Sequence, residues 1–363
     1  MRLSAKVLIV GGGPAGATAA RFLAEAGIHV ILLERNCSFT KPCGGGLSLS
    51  AFNEFGISRT IIKKEINRIR IISPKGESLD IDLIGHSLTI IERSEFDNTL
   101  RNRAEEKGAK VIEGEFLNLT HDTNYRVEAI IGEALCEIVS EYIIAADGVN
   151  SKVRKAIGLK PCQTIFAAYE TIKEMQTETC EFWFGSSHAP YSYSWVFPAV
   201  EGISIGTGSF EPGIISTLLE KFKNRKGIVP EGKKRIYRIP VWTGDLYNKN
   251  KILFAGDAAG HVLPLTYEGI YYAMKAGEFA AKAILEEKVD NYKKIWKDRF
   301  QKRFTLMDKL RKYFLKDDAS AEKLVALHRR HEVQQASLRL WLSKDSSKES
   351  LMSYIRLFGN FLH

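Results

Sequence analysis

Lys6-Val7-Leu8-Ile9-Val10-Gly11-Gly12-Gly13-Pro14-Ala15-Gly16 decides the fold. Four apolar residues in a row read as a strand buried on both faces. Gly11, Gly13 and Gly16 follow at G-x-G-x-x-G spacing, and Pro14 to Ala26 reads as an alanine-rich helix stopped at Gly27. His29 to Leu33 reads as the next strand, closed by Glu34, 18 residues beyond Gly16. Strand, helix and strand within about 30 residues make the smallest parallel-sheet unit. In that context each glycine has its own task. Gly11 permits the tight turn, Gly13 lets the backbone approach a pyrophosphate, and Gly16 permits close helix–strand packing. The helix start offers free N–H groups and a positive dipole end to phosphates, and Glu34 can accept hydrogen bonds from ribose hydroxyls. The unit predicts a dinucleotide site without separating a nicotinamide from a flavin.

Composition sets the outer limits. A chain of 363 residues suits two domains, or one discontinuous domain carrying an insert. With 45% hydrophobic and 26% charged residues it reads as globular rather than disordered. No run of about 18 apolar residues occurs, which excludes a spanning helix at this stage, and Val7 to Val10 is too short for a signal-peptide core. Five cysteines (37, 43, 136, 162 and 180) are odd in number, irregularly spaced and lack a C-x-x-C pair. That pattern predicts reduced thiols in a cytoplasmic protein, with neither a disulfide framework nor a metal site. The formal charge is +9, and residues 291–363 hold 17 Lys/Arg against 8 Asp/Glu, so the whole excess falls there. A basic end on a neutral body predicts either a local anionic partner or a solvated helical face.

Farther along, short alternating strands are expected at Ile66–Ile72 and Ser78–Leu83 around a Pro74-Lys75-Gly76 turn, then a helix from Ser94 to Gly108 with Ser94 as its N-cap. Strands follow at Val111–Glu113, Val127–Ile131 and Tyr142–Ala146. Phe166 to Val241, rich in aromatic and β-branched residues, reads as a mostly antiparallel sheet. Ile252 to Gly256 reads as a strand and Gly269 to Glu286 as a helix. Beyond 290 the apolar residues recur at helical steps, among them Phe300, Phe304, Met307, Phe314, Leu351, Tyr354, Ile355, Phe358 and Leu362. The expected fold is α/β, with an α+β second domain: a Rossmann-type domain from 1–60, 93–157 and 250–290, an inserted antiparallel-sheet substrate domain from 61–92 and 158–249, and a basic helical segment from 291–363.

Three later segments resemble flavin motifs. Asp147-Gly148 closing a strand, followed by Ser151 and Arg154, resembles the D-G-x-x-S-x-x-R segment of FAD-dependent hydroxylase-type flavoproteins. Gly256-Asp257 after an apolar strand resembles their second motif, whose acid binds the ribityl chain and whose following helix, here opening at Gly269 and Ile270, faces the flavin ring. Arg93, Phe96, Asp97 and Leu100 resemble the R-x-x-F-D-x-x-L helix, whose arginine lies near the cofactor. Two more segments are similar to the geranylgeranyl reductase family, flavoenzymes that saturate isoprenoid double bonds. These are Lys41-Pro42-Cys43-Gly44-Gly45-Gly46, like the family's loop near the isoalloxazine, and the run Pro190 to Pro198, which matches P-x-x-Y-x-W-x-F-P. The resemblance spans roughly residues 5–285. It implies FAD held by Gly11, Gly13, Pro14, Ala15, Gly16, Glu34 and Arg35, by Cys43, Gly44, Gly45 and Arg93, and by Asp147, Gly148, Gly256, Asp257, Gly269 and Ile270.

A prenyl chain offers no charge and no hydrogen bonds, so its site must be an apolar channel. Strand alternation would put Tyr191, Tyr193, Trp195 and Phe197 on one sheet face. They either line the channel or are ordinary core. Cys43, Tyr191 and Trp195 are the candidates for shaping the reacting region, with Tyr193, Phe197, Pro264 and Tyr267 along the channel. Cys43 between proline and glycines sits on flexible backbone, or is a small residue that merely fits. Where the family shows N-P-x-T-G-x-G-I, this chain has Leu263 for the asparagine and Tyr267 for a glycine, and a tyrosine there narrows the space over the ring or alters substrate reach.

The function expected is reduction of isoprenoid carbon–carbon double bonds, on a geranylgeranyl lipid or a prenylquinone, by hydride from reduced FAD. A separate donor, reduced ferredoxin or NAD(P)H, would supply electrons; nucleic acid is not expected. An amphipathic basic end fits a cytoplasmic protein resting peripherally on the inner membrane face. The rivals are an aromatic monooxygenase, a flavin-dependent halogenase, whose W-x-W-x-I-P motif Tyr193 and Phe197 break, and a non-catalytic flavoprotein or electron carrier.

Overall fold

The structure, a computed structural model, describes residues 1–345 and 347–359. Leu362 lies outside them. The chain forms two compact units, one from 1–41, 94–164 and 239–301, the other from 42–93, 165–238 and 302–363.

The first unit is built on a seven-stranded sheet. Arg2–Val10 is its centre, parallel to Val30–Glu34 on one side and to Ala134–Ala145 on the other. Ile252–Phe254 continues the parallel part beyond Ala134–Ala145, and Lys110–His121 does so beyond Val30–Glu34. Tyr125–Ile131 runs antiparallel between the long strands 110–121 and 134–145. Leu8, Val10, Ile31, Leu33, Ile143 and Phe254 meet in one apolar cluster, as a sheet covered on both faces requires. Register puts Val10, Leu33, Ala145 and Phe254 in one row, so the carboxyl ends of four parallel strands finish together. In open α/β sheets ligands bind outside such ends.

The second unit carries a seven-stranded sheet in the order 235–240, 164–172, 203–209, 194–198, 180–183, 68–72, 78–82, mostly antiparallel, and a three-stranded sheet of 46–48, 88–91 and 62–66. Within the larger sheet, 180–183 pairs in parallel with 68–72. The helix Ile215–Lys226 interrupts the region expected to be all sheet, and packs Ile215, Leu219 and Phe222 against Ala168, Val196 and Ile205. Its apolar residues recur at three- and four-residue steps, a period that the surrounding aromatic richness masks.

Several expectations are corrected. Residues 42–60 belong to the second unit, 239–249 to the first, and 291–363 is no separate body: 291–301 joins the first unit and 302–363 the second. The expected apolar stripe of the tail is buried at Phe304, Met307 and Phe314, and Leu306 and Leu310 are buried with it. Arg303 is itself buried and donates to the Asp345 carbonyl. Helix 93–105 starts at Arg93, so Ser94 lies inside its first turn rather than at its cap. Strand 194–198 begins too late to include Tyr191 and Tyr193. Tyr191 sits on the preceding turn at φ 59°, a left-handed conformation that breaks strand alternation. Among the described residues no helix is long and apolar enough to cross a membrane.

Candidate functional site

In the first unit the glycine loop, Glu34, Asp147-Gly148 and Gly256-Asp257 all leave the aligned strand ends. The helix Pro14–Glu25 starts at Gly13 with no side-chain cap and no acid in its first turn, leaving its N–H groups free for an anion. Pro14 and Ala15 are buried in that first turn. A Cβ on Gly13 would meet nothing within 4 Å, whereas one on Gly16 would stand 1.9 Å from the Gly11 carbonyl oxygen. Gly13 therefore borders open space and Gly16 a packed contact. Glu34 accepts from Gly12 N at 2.5 Å and from Asn36 N at 3.0 Å, which fixes its carboxylate beside the loop. Arg35 points into solvent.

Asp147 accepts from Val153 N at 3.0 Å, and Ser151 caps the same short helix by accepting from Arg154 N at 3.0 Å. Burial pushes the Asp147 carboxyl up, while Ser151 and backbone N–H groups oppose the shift. Its other oxygen, Oδ1, is buried with no hydrogen-bond partner. Such a group carries a desolvation cost that a ligand hydroxyl or water removes. Arg154 links two motifs: its Nη1 donates to the Ala258 carbonyl at 3.0 Å and lies 3.2 Å from Cys162 Sγ. Asp257 forms an ion pair with Lys41, side chains 10% and 27% exposed. Gly269 caps the helix Ile270–Leu285, and its Cβ position is 3.7 Å from Asp257 Oδ1. Leu265 and Tyr267 hold φ of 80° and 54° in the loop between, so Tyr267 takes up the backbone conformation natural to the glycine it replaces. Pro264 is buried and Tyr267 half-buried.

The open cradle at Gly13, the uncapped helix start and the unpartnered Asp147 oxygen fit a dinucleotide with a hydroxylated linker. Sequence reasoning missed Arg101 and the pairing of the loop's Lys41 with Asp257. Arg101 donates to the carbonyls of Gly12 at 3.0 Å and Cys37 at 2.7 Å, bracing the loop.

In the second unit Trp195 and Phe197 share a face of strand 194–198. Phe182 packs on Phe197 at 5.0 Å, on Tyr193 at 5.4 Å and on Trp341 at 5.9 Å between ring centroids. Trp341 comes from the tail, and nothing in its local sequence foretells that contact. A Cβ on Gly44 would stand 3.0 Å from the Phe197 ring and 3.9 Å from Trp195 Nε1, so the cysteine loop lies against the aromatic face. Gly45 N donates to Cys43 Sγ at 3.3 Å, and Cys43 is exposed. Gly45 is buried, with its carbonyl accepting from Ile91 N at 3.0 Å. Arg93 is buried. Tyr191, 53% exposed, stays on its turn.

The family described as FAD binding domain matches residues 4–286. The chain is 31% identical over 382 residues to a geranylgeranyl diphosphate reductase of Rhodobacter capsulatus, covering 98% of this chain and 96% of that protein. It is 32% identical over 396 residues to digeranylgeranylglycerophospholipid reductase 2 of Methanothermobacter thermautotrophicus, with the same two coverages, 98% and 96%. A crystal structure of a geranylgeranyl bacteriochlorophyll reductase-like protein from Thermoplasma acidophilum superposes with a TM-score of 0.84 at 24% identity, covering 99% of each chain. The fold is the α/β fold of these flavoproteins, and the cofactor is FAD.

Proposed function

The chain belongs to the geranylgeranyl reductase family of FAD-binding proteins, and from that premise we propose that it reduces carbon–carbon double bonds of isoprenoid chains, with hydride supplied by reduced FAD. The observation that carries this reading is the aromatic face of the second unit. Phe182, Tyr193, Trp195, Phe197 and Trp341 form a surface suited to a ligand without charge or hydrogen-bonding groups. Aromatic rings also stabilise positive charge developing on an alkene that has no carbonyl to accept electrons.

Gly11 to Gly16, Glu34 and Arg35, Asp147-Gly148, Gly256-Asp257 and Gly269-Ile270 are proposed to hold the nucleotide and ribityl parts, with Arg93 and Cys43 to Gly45 toward the flavin. Pro264 and Tyr267 would bound the ring's edge. Cys43, Tyr191 and Trp195 would shape the reacting region. The substrate is a geranylgeranyl lipid or a prenylquinone, and reduced ferredoxin or NAD(P)H is the separate donor. The basic tail is proposed to make peripheral contact with the inner membrane face of the cytoplasm.

The test reduces the purified holoprotein anaerobically and adds, in turn, a geranylgeranyl lipid, a menaquinone and an aromatic acid. Flavin reoxidation by a prenyl compound, with a mass gain of two hydrogens per bond, supports the reading. Reoxidation only when oxygen accompanies the aromatic acid, with gain of one oxygen atom, points to a monooxygenase instead.

A further inference from the structure

Register sets four residues in one row across the second unit's sheet: Phe182 opposite Trp195, Trp195 opposite Gly206, and Gly206 opposite Tyr169. Directly opposed residues share a face, and helix 215–226 packs on the other one, through Ala168, Val196 and Ile205. Gly206 is the gap that lets the Trp195 indole lie flat, since a Cβ there would stand 2.1 Å from Trp195 Cζ2. Tyr169 is the one hydroxyl among these four residues. It is buried, 8% exposed, and hydrogen-bonded to the guanidinium of Arg235. Cys43 is close enough to act on it electrostatically. Packing alone would be served by phenylalanine, because burying a hydroxyl carries a cost that its partner must offset.

Resting on the functional reading above, we propose that Tyr169 is the proton donor of the alkene reduction, with Arg235 as the positioning residue that holds the phenolate formed. The hydride bonds to one alkene carbon, and the π pair forms a new C–H bond at the other carbon with the phenol proton. The Tyr169 O–H bond breaks, the cofactor is oxidised by two electrons, and the alkene is reduced by two. The phenolate remains against Arg235, an exposed residue, and recovers its proton from solvent. Burial pushes the Tyr169 phenol up and Arg235 opposes that shift, so the group stays protonated at neutral pH and ready to donate.

The test mixes anaerobically reduced holoprotein with geranylgeranyl diphosphate and follows the flavin, while Trp fluorescence reports binding of the same probe. Y169F is expected to reoxidise about 100-fold more slowly or worse, with FAD content and probe affinity within twofold of wild type. In D2O both the phenol proton and the hydrogen carried by reduced flavin exchange with solvent, so wild type should gain two deuteriums per bond and show a larger solvent isotope effect than Y169F. R235M should move the alkaline fall of the rate to higher pH, because removing the cation raises the phenol further. If Y169F keeps the wild-type solvent isotope effect, or reoxidises within threefold of wild type, Tyr169 is not the donor and the functional reading stands. If wild-type flavin is not reoxidised by any prenyl compound, the functional reading falls and the donor role with it. Should Y169F lose FAD, 3-fluorotyrosine at position 169 replaces it: the more acidic phenol must lower the alkaline limb, and an unmoved limb overturns the proposal.

Discussion

Replacing Gly13 with alanine separates a ligand contact from a folding contact, with Gly16→Ala as the internal control. Gly13 has φ −73° and ψ −174°, ordinary extended backbone, so alanine meets no strain there. Its Cβ meets no atom within 4 Å. The flavin-free protein should therefore keep its stability to within about 0.5 kcal/mol, or gain up to about 1 kcal/mol from a stiffer unfolded chain. The same methyl occupies space through which a phosphate would reach the helix N–H groups. Losing one charge-assisted hydrogen bond costs about 1.5–3 kcal/mol, or about 10- to 150-fold in Kd for FAD. Gly16→Ala inverts the pattern. Its Cβ would sit 1.9 Å from the Gly11 carbonyl oxygen, so helix and strand must separate, and the flavin-free protein should lose about 1–3 kcal/mol or more. The assay is urea unfolding of deflavinated protein beside a fluorescence titration with FAD. Wild-type FAD affinity in G13A, or equal loss of stability in both variants, would refute the assignment of the open space to the pyrophosphate.

At Tyr267 the left-handed backbone predicts that Y267G is more stable than Y267A by about 1 kcal/mol, since both lose the ring and only glycine escapes the strain; equal thermal unfolding of the two would remove that account. Burial lowers His261 to about 3 and His188 to about 4, below the unfolded value of about 6.5, so both are neutral in the folded state. The stability they contribute is complete above pH 6.5 and drains as pH falls toward those values, at roughly 1.4 kcal/mol per pH unit for each histidine. H261F should flatten that acid limb by one histidine's share between pH 6.5 and 4.5, and a limb as steep as wild type would contradict it. K41M leaves the Asp257 carboxylate without its ammonium partner and should cost about 1–3 kcal/mol, largely recovered by adding D257N. A coupling below about 0.5 kcal/mol in the urea double-mutant cycle would show the pair to be idle.

What was legible in the chain was what lies within one turn or one strand of itself. Gly11 to Glu34 is a single βαβ unit, and its spacing alone forces the helix start to the strand end. Asp147 and Ser151 cap a helix three to six residues away, so a local motif was enough to find them. Contacts with no local trace stayed hidden. Lys41 reaches Asp257 across 216 positions and Arg101 reaches Gly12 across 89, and no periodicity encodes either. The aromatic strand starts later than alternation predicts, because the positive φ of Tyr191 turns the chain before the ladder begins at Ser194. The row from Phe182 to Tyr169 depends on the register of four strands, and register is fixed by which face each strand buries, a property of the assembled sheet. That is why the aromatic signature pointed to Trp195 and Phe197 but not to Tyr169. Nothing near Tyr169 in the chain marks it as chemical, and only the cross-strand row, with Arg235 at its hydroxyl, sets it apart from core.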